Sequence, residues 1–338
     1  RQGKKIHHPT LEYQTGSIRN DFDFGQLLLF RNDSFQQVVA QMNTDYRFAA
    51  LYELRLSISR LGKIVHIPET LYTVQPTDLR LSGEKQFDYV DPANREVQLE
   101  MEAVCTAHLQ AIGAWLAPEF QRIDFGQENF AREASVIIPV RNRRRTIAEA
   151  VESALQQQTD FSFNVIVVDN HSTDSTGQIL TELSRRYPNL IHHIPASTEL
   201  GIGGCWTEAI LLPECGKFAI QLDSDDLYKD CHVLQRIVDT FYQENCAMVI
   251  GSYQMVDFKL EEIPPGLIAH REWTPDNGRN NALRINGLGA PRAFYTPVLR
   301  QIKFPNVSYG EDYATALAIS RKYPIARIYD PLYLCRRW

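Results

Sequence analysis

The stretch that decides the fold is a short apolar run that ends in carboxylates: Phe218-Ala219-Ile220-Gln221-Leu222-Asp223-Ser224-Asp225-Asp226. Its apolar part has the length of a buried strand, which delivers three aspartates onto one loop. Carboxylates this close repel one another unless a cation lies between them. Oxygen ligands suit Mg²⁺ or Mn²⁺. A solvated acidic turn or a helix cap is the alternative, but the position directly after a strand favours a metal that holds a diphosphate.

Strand and helix patterns alternate around this run. Ala134–Val140 and Phe163–Val168 are mostly apolar and show no alternation of polar and apolar residues, which is typical of parallel strands covered on both faces. Capping boxes predict a helix after each of these strands, at Thr146 with Glu149 and at Ser175 with Gln178. Further strands are predicted at 190–194, 218–222 and 247–253, and a helix at 230–243. We therefore expect an α/β fold with a Rossmann-like, mainly parallel sheet flanked by helices, which binds ligands at the carboxyl ends of its strands.

Composition excludes several classes of protein. The net charge of −6, with no basic block beyond the segment 141–145, argues against a nucleic-acid partner. The longest apolar runs have strand length, so no integral membrane segment is expected. Six scattered cysteines without metal-ligand spacing predict reduced thiols in a cytoplasmic protein. The chain opens with Arg1 rather than Met, which is compatible with a fragment of a longer protein.

An internal repeat relates the two ends of the chain at a constant offset of 261 residues. The first copy carries Tyr52, Leu56, Ile58-Ser59-Arg60, Ile64, Ile67 and Leu71-Tyr72, and the second carries Tyr313, Leu317, Ile319-Ser320-Arg321, Ile325, Ile328 and Leu332-Tyr333. The acidic pair Glu311-Asp312 of the second copy is Ala50-Leu51 in the first. We therefore predict a partial, degenerate copy at 1–75 as an N-terminal α/β extension, a helical linker at 76–133 and a complete domain at 134–338.

Two polar motifs lie at the ends of other predicted elements. Asp169 and Asn170 follow a strand, where they either bind a ribose or base or belong to a turn that caps the next helix. Glu311 and Asp312 open a helix, where the helix dipole alone favours carboxylates. The functional alternative is that one of this pair is a general base for an acceptor hydroxyl.

Glycines and arginines near strand ends are candidates for phosphate binding. The loop Leu200-Gly201-Ile202-Gly203-Gly204 precedes a helix, so its N–H groups either face a phosphate or allow close backbone packing. Arg141 after the first strand, and Arg336 with Arg337 at the end of the chain, carry forked donors that match phosphate. Adjacent residues of a strand point to opposite faces, so His192 and His193 are not expected to share a metal.

Four of these motifs, in this order along the chain, resemble family 2 glycosyltransferases, which have the GT-A fold. The pieces are Val136 to Asn142, Val168 to Asp174, Leu222 to Asp226 and Gly310 to Asp312. The resemblance implies a metal-dependent, inverting transfer of a sugar from a UDP- or GDP-linked donor to a hydroxyl of a glycan or other acceptor. It also implies a role in polysaccharide or glycoconjugate synthesis.

The resemblance, together with the motifs, divides the predicted site residues into three groups. The nucleotide-sugar is bound by Pro139, Arg141, Asp169, Asn170, Asp223, Gly203, Arg336 and Arg337. The metal, Mn²⁺ or Mg²⁺, is held by Asp225 and Asp226. Asp312 is the base that activates the acceptor, with Glu311 beside it.

This chain departs from the family at two positions. Asn170 stands where the family often has an aspartate, so the nucleobase stays open. Cys205-Trp206-Thr207 replaces the family's Ala-Arg-Asn, so Arg336 or Arg337 would substitute for a phosphate-binding arginine. The ending Arg336-Arg337-Trp338 resembles part of a motif of processive synthases, but Leu334 occupies its first position.

We therefore expect a non-processive, cytoplasmic enzyme, at most peripheral to a membrane and compatible with an oligomer. Two other functions fit part of the pattern. One is a nucleotidyltransferase that makes a nucleotide-sugar, and the other is a non-catalytic protein that binds nucleotide-sugars or acts as a scaffold.

Overall fold

The computed structural model describes residues 6–43, 45–74, 91–126, 128–274 and 276–337. The chain divides into two compact units, 1–116 with 280–286 and 117–279 with 287–338. This division differs from the predicted boundaries at 75 and 133, because the helix of the expected linker packs within the first unit. The part of that linker at 76–90 lies outside the described residues.

Three helices build the first unit: α1 (Asn32–Val39), α2 (Ala50–Leu61) and α3 (Arg95–Ala111), the last preceded by a 3-10 turn at Pro92–Asn94. The apolar faces of α2 and α3 meet in a small core that includes Tyr52, Leu56, Val104 and Leu109. The carboxylate of Glu100 accepts the N–H groups of Phe48 (2.7 Å) and Ala49 (3.0 Å), so α3 supplies the cap for the start of α2.

The internal repeat is visible in the helices but not in the strand that follows them. Helix α2 begins at Ala50 and its counterpart α10 begins at Glu311, which preserves the offset of 261 residues. Residues 64–74 form no strand, whereas their counterparts belong to the last strand of the sheet. The interpretation of the N-terminal unit as a degenerate copy therefore stays a prediction.

The second unit begins with the predicted parallel sheet. Strands β1 (Ala134–Val140), β2 (Phe163–Asp169), β3 (Leu190–His193) and β4 (Phe218–Gln221) are parallel in the order β3-β2-β1-β4. The connecting helices are α4 (Ile147–Leu155), α5 (Thr176–Arg186) and α6 (Ile202–Leu211). Val136, Ile137 and Ile138 of β1 are fully buried, as a strand covered on both faces requires. The α/β fold with flanking helices is thus confirmed.

The rest of the unit continues the same sheet with mixed strand directions. Its elements are β5 (Leu227–Tyr228), α7 (Val233–Glu244), β6 (Met248–Val256), β7 (Glu262–Ile268), α8 (Gly278–Asn281), β8 (Arg292–Tyr295), α9 (Thr296–Ile302), α10 (Glu311–Ser320) and β9 (Ile325–Arg336). Strand β8 lies antiparallel between β4 and β6, and β9 is parallel to β6. None of the helices in the described part of the chain has the length and apolarity needed to cross a bilayer.

The antiparallel strand β8 decides what lies beside the aspartates. Ala293 pairs with Ile220, so the first residue of β8, Arg292, lies next to the last residue of β4, Gln221. The loop that carries the aspartates therefore begins beside a half-buried arginine from a distant part of the chain. On the other side, the hydroxyl of Tyr333 in β9 accepts the N–H of Asp223 at 2.8 Å.

Candidate active site

The loops after β1 and β2 are fastened to each other at the carboxyl edge of the sheet. Asn170 donates its backbone N–H to Val140 O at 2.8 Å. The side-chain oxygen of Asn142 accepts the N–H of Thr173 at 2.8 Å, and the backbone N–H of Asn142 donates to Ser172 Oγ at 2.9 Å. Pro139 is half-buried near the end of β1, and Arg141 is exposed directly after it. The structure thus brings the predicted nucleoside-binding residues of both loops to one edge.

Asp169 is a buried carboxylate at this edge. It accepts the N–H of Ser172 at 2.9 Å, and Oδ2 lies 3.4 Å from Nε2 of His192. Burial alone would raise its pKa, but the hydrogen bonds from His192 and Ser172 outweigh burial and lower the pKa of Asp169. His193 faces Glu208 instead, at 3.4 Å, so the two histidines point apart as predicted.

Asn170 presents a buried acceptor without a protein partner. Its Nδ2 donates to Leu200 O at 2.8 Å, which fixes the amide. Its Oδ1 is buried and has no hydrogen-bond partner among the described residues. A buried polar atom of this kind is costly unless a ligand or water satisfies it, so Asn170 is suited to accept a hydrogen bond from a nucleoside.

An open groove of about 930 Å³ adjoins these residues. It is lined by the strand end at Asp169, by residues of α5 such as Gln178 and Arg185, and by His192 and Ile194 at β3. The predicted nucleoside site therefore opens onto a cavity large enough for a small ligand.

The aspartate loop contains carboxylates in three different environments. Asp223 Oδ1 accepts from Gln221 Nε2 at 2.9 Å, and burial raises the pKa of Asp223. Burial, followed by the charge of Asp223, raises the pKa of Asp226 to about 8. Asp225 keeps 28% of its side chain exposed and faces Arg143 Nε at 3.5 Å. The carboxylates of Asp223 and Asp226 thus disfavour each other's negative charge, and a nearby cation would relieve this repulsion.

A metal ion fits this loop only with help from a bound molecule. In the part of the chain that the structure describes, no three His, Cys, Asp or Glu side chains are grouped as a metal site. Asp226, predicted as a second ligand, uses Oδ1 to accept the N–H of Arg336 at 2.7 Å. Asp225 is the more accessible carboxylate, and phosphate or water oxygens would complete the coordination of Mg²⁺.

The two terminal arginines have different environments. Arg336 donates through Nε to Asp225 O, pairs with Glu149 and lies 5.1 Å from the centre of the Phe258 ring. Its Nη2 is buried without a hydrogen-bond partner among the described residues. Arg337 is exposed, and its backbone N–H donates to Val256 O at 2.9 Å.

The acidic pair of α10 faces the same region. Asp312 Oδ2 lies 2.5 Å from Nη2 of Arg292. Glu311 is buried, its Oε2 has no hydrogen-bond partner in the described residues, and burial raises its pKa. Gly310, with φ of +75°, turns the chain into the helix so that both carboxylates lie in its first turn.

The glycine loop packs against the segment before α10. Gly203 donates its N–H to Val307 O at 3.0 Å, and Gly201 donates to Asn306 Oδ1 at 2.8 Å. A Cβ on Gly203 would collide with Pro305 O and lie 3.0 Å from the Cβ of Glu311. These contacts support the packing interpretation of the loop and argue against the predicted role of Gly203 in phosphate binding.

Sequence motifs did not reveal three residues that shape this site. Arg292 lies in no recognised sequence motif, and Tyr333 is an aromatic residue of an ordinary strand pattern. Gln221 gave the clearest signal, because it is a polar residue in an otherwise apolar buried strand. Its amide donates to Asp223 and accepts from Arg292, at 2.9 and 3.1 Å.

Comparison with known proteins identifies the family of the second unit's main segment. The sequence profile described as glycosyl transferase family 2 matches residues 135–302. An uncharacterized glycosyltransferase of Nostoc sp. is 32% identical over 123 residues, 36% of this chain and 37% of the relative. The poly(ribitol-phosphate) beta-glucosyltransferase of Bacillus spizizenii is 25% identical over 210 residues, 60% of this chain and 32% of the relative. This chain thus spans about a third of the length of these two relatives.

A solved structure shares the fold. The crystal structure of S. aureus TarS 1-349 in complex with UDP-GlcNAc superposes with a TM-score of 0.50 and 25% sequence identity. The superposition covers 61% of this chain and 59% of the TarS chain. Residues 135–302 of this chain are therefore a glycosyl transferase family 2 domain, within an α/β architecture that matches GT-A glycosyltransferases.

Proposed function

We propose that this chain transfers a sugar from a nucleoside diphosphate donor to a hydroxyl group of an acceptor. One observation carries the proposal: the side chains of Arg292 and Gln221 connect Asp312 to the aspartate loop. Asp312 contacts Arg292 at 2.5 Å, Arg292 contacts Gln221 at 3.1 Å, and Gln221 contacts Asp223 at 2.9 Å. A carboxylate suited to remove a proton thus lies opposite a loop suited to hold a diphosphate.

The nucleoside would bind at the ends of β1 and β2. Asp169, kept ionised by its hydrogen bonds, can accept from ribose hydroxyls or from a base N–H. Asn170 offers the buried, unpartnered Oδ1 next to it. Pro139 and Arg141 flank the same edge. The UDP-GlcNAc complex of TarS supports a nucleotide-sugar as the donor, and we propose a UDP- or GDP-linked sugar for this chain.

A divalent cation, Mn²⁺ or Mg²⁺, would be held by Asp225 together with oxygens of the diphosphate. When bound, it would supply Lewis-acid stabilisation of the leaving diphosphate. Arg143 lies beside Asp225 and adds positive charge at the aspartate loop. The guanidinium of Arg336, whose Nη2 has no hydrogen-bond partner among the described residues, adds a second positive charge there. Asp226 would hold β9 against the loop through Arg336 rather than serve as the main ligand.

The chemistry would be one direct displacement. Asp312 takes the proton of the acceptor hydroxyl, the oxygen forms a bond to the anomeric carbon, and the bond from that carbon to the diphosphate oxygen breaks. Attack from the face opposite the leaving group inverts the anomeric configuration, through a transition state with oxocarbenium character. Glu311 lies beside Asp312, buried, and burial raises the pKa of its carboxyl group.

The acceptor would be a hydroxyl of a glycan or of a polyol phosphate polymer, since one relative is a poly(ribitol-phosphate) glucosyltransferase. A panel of nucleotide-sugars with Mn²⁺ and such acceptors tests the proposal. We expect one donor to release its nucleoside diphosphate only when an acceptor is present. Release of pyrophosphate from a nucleoside triphosphate and a sugar phosphate would instead indicate a nucleotidyltransferase, and binding without turnover would indicate a non-catalytic protein.

A further inference from the structure

Arg292 is bound on several sides at the bottom of the candidate site. Its Nη2 contacts Asp312 Oδ2 at 2.5 Å, Nη1 donates to Gln221 Oε1 at 3.1 Å, and Nε donates to Leu288 O at 2.6 Å. Its backbone N–H also donates to Gln221 Oε1, at 3.2 Å. Only 15% of the side chain is exposed. The planar guanidinium therefore has little freedom to move.

This arginine joins the two parts of the site that the reaction needs. Gln221, which accepts from Arg292, donates to Asp223 at the start of the aspartate loop. On the other side, Nη2 of Arg292 contacts the carboxylate of Asp312. A single cation thus acts on carboxylates from both sides of the site.

We propose that Arg292 is a positioning residue of the transfer reaction, which holds the carboxylate of Asp312 at a fixed place relative to the aspartate loop. This role rests on the proposed function, because it matters only if Asp312 meets an acceptor and the loop holds the donor. A misplacement of about 1 Å can cost about 100-fold in rate when reacting groups must align. The effect is expected in kcat, since Asp312 acts after both substrates have bound.

Lysine cannot reproduce this arrangement. An ammonium group can keep an ion pair with Asp312, but it is a point charge and lacks the fork that reaches Gln221 and Leu288 at the same time. Arg292→Lys should therefore keep part of the rate, and Arg292→Met should lose more.

Arg300 provides a matched control within the same unit. It is a partly buried arginine of α9 that donates through Nε to Ile210 O at 2.7 Å and pairs with Glu128 at 3.7 Å. It has a similar set of contacts, an ion pair and a backbone acceptor. Arg300→Lys and Arg300→Met therefore report what the loss of such contacts does to folding and, through folding, to rate.

The experiment measures kcat and the donor KM of the full chain and its variants, with the donor and acceptor that the panel identifies. We expect kcat to fall about 100-fold in Arg292→Met and less in Arg292→Lys, with donor KM within about threefold. Added guanidinium ion should restore part of the rate of Arg292→Met. The Arg300 variants should keep kcat within about threefold.

Four results would overturn this role: an unchanged kcat in Arg292→Met, a change confined to KM, equal losses in the Arg300 variants, or no response to guanidinium. If Arg292→Met does not fold, as judged by circular dichroism, Arg292→Lys tests the role instead. A fall in kcat with a nearly unchanged donor KM would support it, and an unchanged kcat or a change confined to KM would overturn it. No turnover by the wild type with any donor would overturn the proposed function and this role together. An active wild type with an unaffected Arg292→Met would overturn the role of Arg292 alone.

Discussion

Arg336 donates its backbone N–H to Asp226 Oδ1 at 2.7 Å, which fastens the last strand of the sheet to the aspartate loop. The side chain of the same arginine donates to Asp225 O and pairs with Glu149 of α4. The loop is thus held from two sides by one residue near the end of the chain. Asp226 is used in this attachment, whereas Asp225 stays accessible.

This difference predicts unequal effects of two similar substitutions. Asp225→Asn should remove measurable binding of Mn²⁺ in the presence of UDP, because it neutralises the accessible carboxylate. Asp226→Asn should weaken binding by about tenfold, since the amide oxygen can still accept from Arg336 and the residue acts from outside the coordination sphere. Isothermal titration calorimetry measures both affinities. Equal loss in the two variants would contradict the separate roles.

The lowered pKa of Asp169 predicts that the stability of the chain depends on pH. Its pKa is lowered in the folded chain, so it contributes stability above the ordinary value of 3.8, which is lost as the pH falls through the lower folded pKa. Asp169→Asn should therefore be less stable than the wild type at pH 7, and the difference should shrink below about pH 4. Urea unfolding at pH 7, 5 and 3.5 measures the difference. Asp239 is exposed and its carboxylate accepts from the neutral amide of Gln235 at 3.0 Å, so Asp239→Asn provides the control.

A stability difference for Asp169→Asn that stays constant over this range would show that the carboxylate is not held ionised by its hydrogen bonds. If the stability differences of both variants from the wild type disappeared at the same pH, general acid unfolding would explain the result instead. The prediction thus depends on the contrast between the two aspartates.

The tight packing around Gly203 in the glycine loop predicts that one added methyl group destabilises the chain. A Cβ on Gly203 would meet the backbone oxygen of Pro305, which cannot move away as a side chain would. Gly203→Ala should therefore destabilise the chain by about 1–3 kcal/mol, the usual cost of overpacking. Gly62→Ala is the control, because φ is −176° there and no atom lies within 4 Å of the added carbon. Urea unfolding that ranks the two variants equally would argue against the tight packing.

The parallel half of the fold could be predicted because its signals are local. Strands such as Ala134–Val140 are mostly apolar along their length, and turns with polar residues follow them. The aspartate loop and the Asp169 turn were found for the same reason, since strand ends of a parallel sheet share an edge. Residues that are adjacent in the sequence were enough to predict these strands and turns.

In the antiparallel half, α7, β6 and α10 were predicted, but the pairing of its strands could not be, because the contacts join distant segments. Strand β7, for example, contains Pro264 and Pro265, which are unusual within a strand, but among the described residues β7 pairs only with β6, and an edge strand tolerates proline. Arg292 meets Gln221 across 71 positions, and Arg336 meets Asp226 across 110. No local pattern shows which carboxylate of a loop will face a distant backbone N–H.

The most direct test of the account is the transfer rate of Asp312→Asn, measured as release of nucleoside diphosphate, beside its affinity for the donor. The amide keeps the size of the side chain and an oxygen for Arg292 but cannot take a proton. We expect the rate to fall about 100- to 10,000-fold while the dissociation constant for the donor changes by less than about threefold. Transfer at the rate of the wild type would contradict the assignment of Asp312 as the base.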